Sequence, residues 1–144
     1  MATPSSGYTY DPKLGVLIVG GNIIQGFAED DMIEVSRDED MWKKKVGTDG
    51  EVTRGKTNNK AGSIIIRLMQ SSASNDVLSA LALADEASNA GAVPVMFRDG
   101  SGRSLFATDF GWVKRFPKTA WKNDVSFWEW TIDTGVLNIF VGGN

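Results

Sequence analysis

The chain has 144 residues, with 15 lysines and arginines against 18 aspartates and glutamates and a formal net charge of −3. That is enough chain for one domain with a real core, and its charge argues against strong overall attraction to nucleic acid. It contains no cysteine and no histidine, which excludes disulfides, thiolate chemistry, serine–histidine and cysteine–histidine nucleophiles and imidazole–zinc sites; no cofactor is expected.

The apolar runs fall short of the about 20 residues that span a bilayer. The opening Met1-Ala2-Thr3-Pro4-Ser5-Ser6-Gly7 lacks the basic and apolar regions of a signal peptide, so a protein without a membrane anchor, made in a cytoplasm, is expected. After an N-terminal arm over about residues 1–12, residues 14–19 read as a strand. Gly20-Gly21-Asn22 reads as a tight hairpin turn, because glycine and asparagine tolerate positive φ, and Ile23-Ile24-Gln25 returns. These glycines lack the G-x-G-x-x-G spacing of a dinucleotide loop. Residues 32–36 alternate, with Ile33 and Val35 opposed to Met32, Glu34 and Ser36, as in a half-buried strand.

An extended polar loop then runs over about residues 37–62. A connection that long is usually functional. Within it Gly50-Glu51-Val52-Thr53-Arg54-Gly55-Lys56-Thr57 fits the phosphate-loop pattern G-x-x-x-x-G-K-[ST]. That pattern needs a buried strand before it and a helix after it. Here Lys43-Lys44-Lys45 precedes and the β-branched run Ser63-Ile64-Ile65-Ile66 follows, so nucleotide hydrolysis is not expected. Gly47 and Gly50 around Thr48-Asp49 instead suggest the tip of a long projecting hairpin.

In the next strand Ile64, Ile66 and Leu68 oppose Ile65, Arg67 and Met69. One helix is predicted from about residue 75 to 89, capped by Ser74 or Asn75, with Asp76 at the positive end of its dipole and Gly91 as a left-handed terminator. Its apolar stripe is Val77, Leu78, Leu81 and Ala84. Asp85 and Glu86 lie in its latter half, where the dipole disfavours negative charge; they are either solubilising residues or a contact for a basic partner. Residues 93–98 and 103–108 make a hairpin around Asp99-Gly100-Ser101-Gly102, and residues 125–133 and 136–141 another near Gly135. In the latter, Trp128, Trp130 and Ile132 oppose Phe127, Glu129 and Thr131. The expectation is a mainly β domain of α+β type, a barrel or sandwich with one flanking helix. Val19-Gly20-Gly21-Asn22 recurs as Val141-Gly142-Gly143-Asn144 without any repeat around it.

Between residues 29 and 40 the acids Glu29, Asp30, Asp31, Glu34, Asp38, Glu39 and Asp40 face Arg37 alone, and then the sign flips to Lys43, Lys44, Lys45, Arg54, Lys56 and Lys60. This is either a solvated loop or a basic arm beside an acidic base, a layout suited to head-to-tail contact between identical subunits. Glu34, Arg67 and Glu129 each put a charge on one face of their strands, as ordinary solvated positions or as a shared polar surface.

Tyr10-Asp11-Pro12-Lys13, Val19-Gly20-Gly21, Gly26-Phe27-Ala28, the stretch 44–54, Ser74-Asn75-Asp76-Val77-Leu78-Ser79-Ala80-Leu81 and the ending Phe140-Val141-Gly142-Gly143-Asn144 together resemble the tail tube proteins of contractile-tailed bacteriophages. The resemblance covers nearly the whole chain. It implies a single tail-tube-like domain over 1–144, six copies of which form a ring. Stacked rings would make a tube in the virion through which double-stranded DNA passes without specific binding. Sheath, baseplate or initiator, and terminator proteins would be the other partners. In that family the long loop joins rings or neighbours, which here implies Trp42, Lys43, Lys44, Lys45, Asp49, Glu51, Arg54, Lys56 and Lys60. On the same footing Glu34, Arg67 and Glu129 are expected to line the channel, and Asp85 and Glu86 to face the sheath. A rival from another class is a single-stranded nucleic-acid-binding β-barrel, because Trp112, Lys114, Arg115, Phe116, Lys118, Trp121 and Lys122 interleave aromatic and basic residues as a stacking platform does.

Overall fold

The computed structural model describes residues 15–28, 32–100 and 104–142. The expected N-terminal arm, the acids at 29–31, and residues 101–103 and 143–144 lie outside the described residues. Among those described, ten strands and one helix follow one another. They are β1 (Val16–Val19), β2 (Asn22–Ile24), β3 (Ile33–Arg37), β4 (Trp42–Val46), β5 (Val52–Lys56), β6 (Gly62–Met69), α1 (Ser74–Ser88), β7 (Val93–Arg98), β8 (Leu105–Arg115), β9 (Phe127–Thr134) and β10 (Leu137–Phe140). The fold is mainly β, as expected.

β6 shows how sequence becomes architecture. Its alternation puts Ile64, Ile66 and Leu68 inside, each fully buried, while Ile65, Arg67 and Met69 look outward. Antiparallel pairing with β3 on one side and β9 on the other extends the buried row to Val35, Trp130 and Ile132. The other half of the sheet adds Leu17, Val19, Val95, Phe106 and Leu137 to the same core. The strand order is β2-β1-β7-β8-β9-β6-β3, with β10 branching from β8; the second hairpin read near Gly135 is thereby corrected, since the chain leaves β9 there and β10 pairs with β8 instead. β8 is shared: residues 105–108 pair with both β7 and β10, while residues 111–113 and 115 pair with β9. The two halves therefore turn about β8, giving the sheet two outward faces.

The sheet does not close into a barrel. Among the described residues the chain after β2 reaches β6 through an isolated bridge between Phe27 and Leu68, and the outer edges of β2 and β3 carry no ladder partner. The β1–β2 turn forms as read from the sequence, with Gly20 and Gly21 at φ 58° and 85°.

Helix α1 fits over the open side of this roll, with Leu78 and Ala82 buried against it. Two cap expectations are corrected. Ser74 and Asn75 lie inside the first turn and are buried; the N-cap position is Ala73, and Ser72 Oγ accepts from the Ser74 backbone amide at 3.2 Å. Ser74 Oγ accepts from the Gln25 amide at 2.9 Å, and Asn75 Oδ1 accepts from Trp130 Nε1 at 2.9 Å. At the other end Asn89, not Gly91, takes the left-handed conformation, at φ 57°. Gly91 is required for a different reason: a Cβ there would run into Asp85 Cβ and the Leu81 carbonyl.

Candidate functional site

The loop at 37–62 is a hairpin standing off the main sheet. β4 and β5 pair only with each other, Trp42 opposite Lys56, Lys44 opposite Arg54 and Val46 opposite Val52. Every residue of both strands is exposed. The tip is a turn in which Gly50 has φ 82° and the Gly47 amide donates to the Glu51 carbonyl at 2.8 Å. The phosphate-loop letters thus form a turn and a strand whose backbone is engaged in a β ladder. Pairing places Trp42, Lys44, Val46, Val52, Arg54 and Lys56 on one face of the hairpin and Lys43, Lys45, Thr53 and Gly55 on the other. The Arg54 guanidinium lies 4.0 Å from the centroid of the Trp42 ring. Such a pair is worth about 0.5–1 kcal/mol at an exposed site. Trp42→Ala is therefore expected to speed amide exchange along β5 about two- to fivefold, readable by NMR or mass spectrometry. Unchanged exchange would show that the ring does not brace the shaft.

The root is as firmly held as the shaft is free. Arg37, the lone base of the acidic stretch, donates to the Leu137 carbonyl from Nε at 3.1 Å and from Nη2 at 2.9 Å. The Leu137 amide donates to the Lys60 carbonyl at 2.9 Å, so both legs of the excursion are tied to β10. Gly62 closes the root, because a Cβ there would meet the Ser36 carbonyl and the Leu137 side chain. Asp38, Glu39 and Asp40 sit exposed at this root, and Asp49 and Glu51 at the tip. Sequence reading missed the roles of Arg37 and Gly62; the isolated base among acids was the available signal.

Glu34, Arg67 and Glu129 come together. In the β3-β6-β9 register Arg67 stands opposite Glu129, and Glu34 sits one position along beside Ile65. Arg67 Nε donates to Glu129 Oε2 at 3.0 Å and Nη2 donates to Glu34 Oε2 at 3.3 Å. The arginine side chain is 17% exposed against 50% and 46% for the two carboxylates. Farther along the same outward face Lys114 Nζ lies 4.0 Å from Asp133 Oδ2. Exposed pairs of this kind stabilise by only about 0–1 kcal/mol each. Their chief effect is to cancel charge on a polar surface.

Asp85 and Glu86 part company. The Asp85 carboxylate turns in to accept from the Gly91 amide at 3.3 Å, leaving Glu86 exposed on the helix. The aromatic and basic residues at 112–122 do not form one platform. Trp112 packs edge-on to Phe110 at 5.4 Å, Phe116 lies 5.8 Å from buried Trp130, and Trp121 meets Trp128 at 6.3 Å. Each ring pairs with a different neighbour, so the three do not line up as one stacking row, although Trp121 is 75% exposed and Phe116 42%.

The profile of the family described as "Bacteriophage PhiTE tail tube protein" matches residues 15–142. "Structural protein ORF10" of Pseudomonas phage KPP10 is 31% identical over 144 residues, covering 94% of this chain and 83% of that protein. Among solved structures, the anti-feeding prophage tube-terminating cap superposes with a TM-score of 0.61 at 9% identity, covering 98% of this chain and 97% of the other. The sheath/tube terminator of the extracellular contractile injection system PVC gives 0.59 at 12%, covering 95% and 100%. The sheath–tube complex of the same system gives 0.56 at 12%, covering 93% of each chain. The family's members are structural components of tails and not enzymes; at such low identities the solved structures speak for the fold alone.

Proposed function

The chain belongs to the bacteriophage PhiTE tail tube protein family, and on that premise we propose that it is the tube subunit of a contractile phage tail. Six copies close a ring, rings stack into a hollow tube within the virion, and the genome leaves through the channel. Its partners are further copies of itself, the sheath around the tube, and the initiating and terminating proteins at its two ends. The observation that carries the reading is the β4–β5 hairpin. An isolated two-stranded hairpin is at best marginally stable in water, yet this one holds Val46 and Val52 at 60% and 61% exposure on a root fastened to β10. A contact surface on another subunit gives it both a place and a reason. The basic shaft and the acids at its root, Asp38, Glu39 and Asp40, suit a head-to-tail stack in which charge orients and apolar contact holds.

Electron microscopy of the purified protein across a concentration series, with and without phage baseplates as initiators, tests this. Hollow tubes with six-fold end views are expected. The absence of rings and tubes even with initiators overturns it.

The neutralised face around Arg67 is proposed to line the channel. DNA must slide past without sticking, and a ring of unpaired arginines would hold phosphates by counterion release. In tubes assembled from the double variant Glu34→Gln, Glu129→Gln, salt-dependent retention of double-stranded DNA is expected where the parent tubes retain none. Equal retention by both would place this face elsewhere.

A further inference from the structure

The second outward face of the sheet is apolar, and among the described residues no other element covers it. Val16 on β1 stands opposite Arg98 on β7, Arg98 opposite Leu105 on β8, and Leu105 opposite Phe140 on β10, with Met96 one step along the same face. Phe140 is 60% exposed and Met96 48%. Among the described residues at the paired positions of this face, Arg98 alone is charged. A contiguous apolar surface rimmed by polar groups marks an interaction site in a protein that stays soluble. It is also unlike the face around Arg67, where one arginine meets two carboxylates, so the two faces do different work.

A matching cover must be apolar and must bring a carboxylate to Arg98. Helix α1 offers one. Its buried side is used up by Leu78 and Ala82, and its opposite side exposes Ala80, Leu83 and Ala87 at helical spacing, with Asp76 one turn ahead and Glu86 alongside. Leu83 is 56% exposed. A helix laid on a sheet is one of the few standard ways to bury both surfaces. Within one molecule the two cannot meet, since this side of α1 points away from its own core.

We propose that the exposed side of α1, centred on Leu83, packs on the Val16–Met96–Leu105–Phe140 face of a second copy, with Arg98 meeting Glu86 or Asp76. The two surfaces differ, so the contact is heterologous and repeats in one direction, as a closed ring requires. It deepens the tube reading and rests on it for the identity of the partner. It gives Glu86 to the neighbouring subunit rather than to the sheath, and it gives a reason for an acid in the half of the helix where the dipole disfavours one.

The chain has no cysteine, which makes the test clean. Leu83→Cys and Met96→Cys subunits, both altered at exposed positions, are mixed, assembled and treated with a short bismaleimide, and the same samples are imaged. A covalent heterodimer is expected from the mixture and from neither variant alone, a ladder of covalent oligomers from the doubly substituted chain, and loss of the crosslink when Arg98→Glu is added. Tubes without crosslinking overturn this interface and leave the tube reading standing. Crosslinking without rings or tubes keeps the interface and removes the tube reading. A chain that does neither removes both.

Discussion

Replacing residues 42–56 with an Asn-Gly turn is expected to abolish tube growth while leaving the subunit folded. The surgery is local. The Thr57 amide already donates to the Met41 carbonyl at 2.9 Å, the bond that closes a two-residue turn, so Asn-Gly between Met41 and Thr57 keeps the root in register. β4 and β5 share no ladder with the main sheet, and every residue in them is exposed. The thermal midpoint should therefore move no more than for ordinary surface changes, about 0.5 kcal/mol either way. Assembly is another matter. If each arm buries the equivalent of one apolar side chain on its neighbour, that is about 1.5 kcal/mol at the low end. Six arms per ring then contribute about 9 kcal/mol to each ring-to-ring joint, roughly a millionfold in its equilibrium constant. Sedimentation and electron microscopy should find single rings or monomers at concentrations where the parent is tubular. Tubes of ordinary length from the shortened chain would show that stacking is carried elsewhere.

Different physical signals made different parts of this molecule legible. β6 could be read because its inner and outer rows differ chemically, and the hairpin could be read because a core cannot be built from lysines flanked by glycine turns. The Glu34–Arg67–Glu129 cluster follows from the same alternation once the three strands are neighbours, but only the pairing brings them into contact. Other features depend on distant partners. Ser74 and Asn75 look like caps because their side chains commonly serve that role; here Gln25 and Trp130, 49 and 55 residues away, claim them instead. The strand read as 103–108 runs on to Arg115, through Asp109 and Gly111, residue types depleted in strands. Gly111 is in the strand because the Val95 and Ile132 methyls lie only 3.1 and 3.4 Å from where its Cβ would stand. The apolar outer face escaped notice for a simpler reason. On β1, Val16 and Ile18 are as apolar as Leu17 and Val19, so alternation carries no information about which side meets the core.

Asn75→Leu is expected to destabilise the subunit by about 3 kcal/mol, the cost of leaving a buried donor and its companion acceptors unpaired. Asn75 is 5% exposed and Trp130 1%. One amide does three jobs: its oxygen accepts from Trp130 Nε1 at 2.9 Å, while its nitrogen donates to the Met69 and Ser72 carbonyls at 3.1 and 3.0 Å. Leucine keeps the branched heavy-atom skeleton and has better helix propensity, so neither a cavity nor a helix penalty enters; its bulkier methyls add a packing cost in the same direction. For a chain of this size the loss corresponds to roughly 6–12 °C in thermal midpoint. Trp130→Phe removes the donor from the other side. In a double-mutant cycle the two changes should couple by at least about 0.5 kcal/mol, the pair costing less than the sum. Strict additivity would mean that the indole–amide bond is not what locates α1 on β9. If it does locate it, Asn75→Leu should also weaken the crosslink from Leu83→Cys to Met96→Cys at temperatures where the subunit is still folded, because the helix would present its outer side from a less determined position.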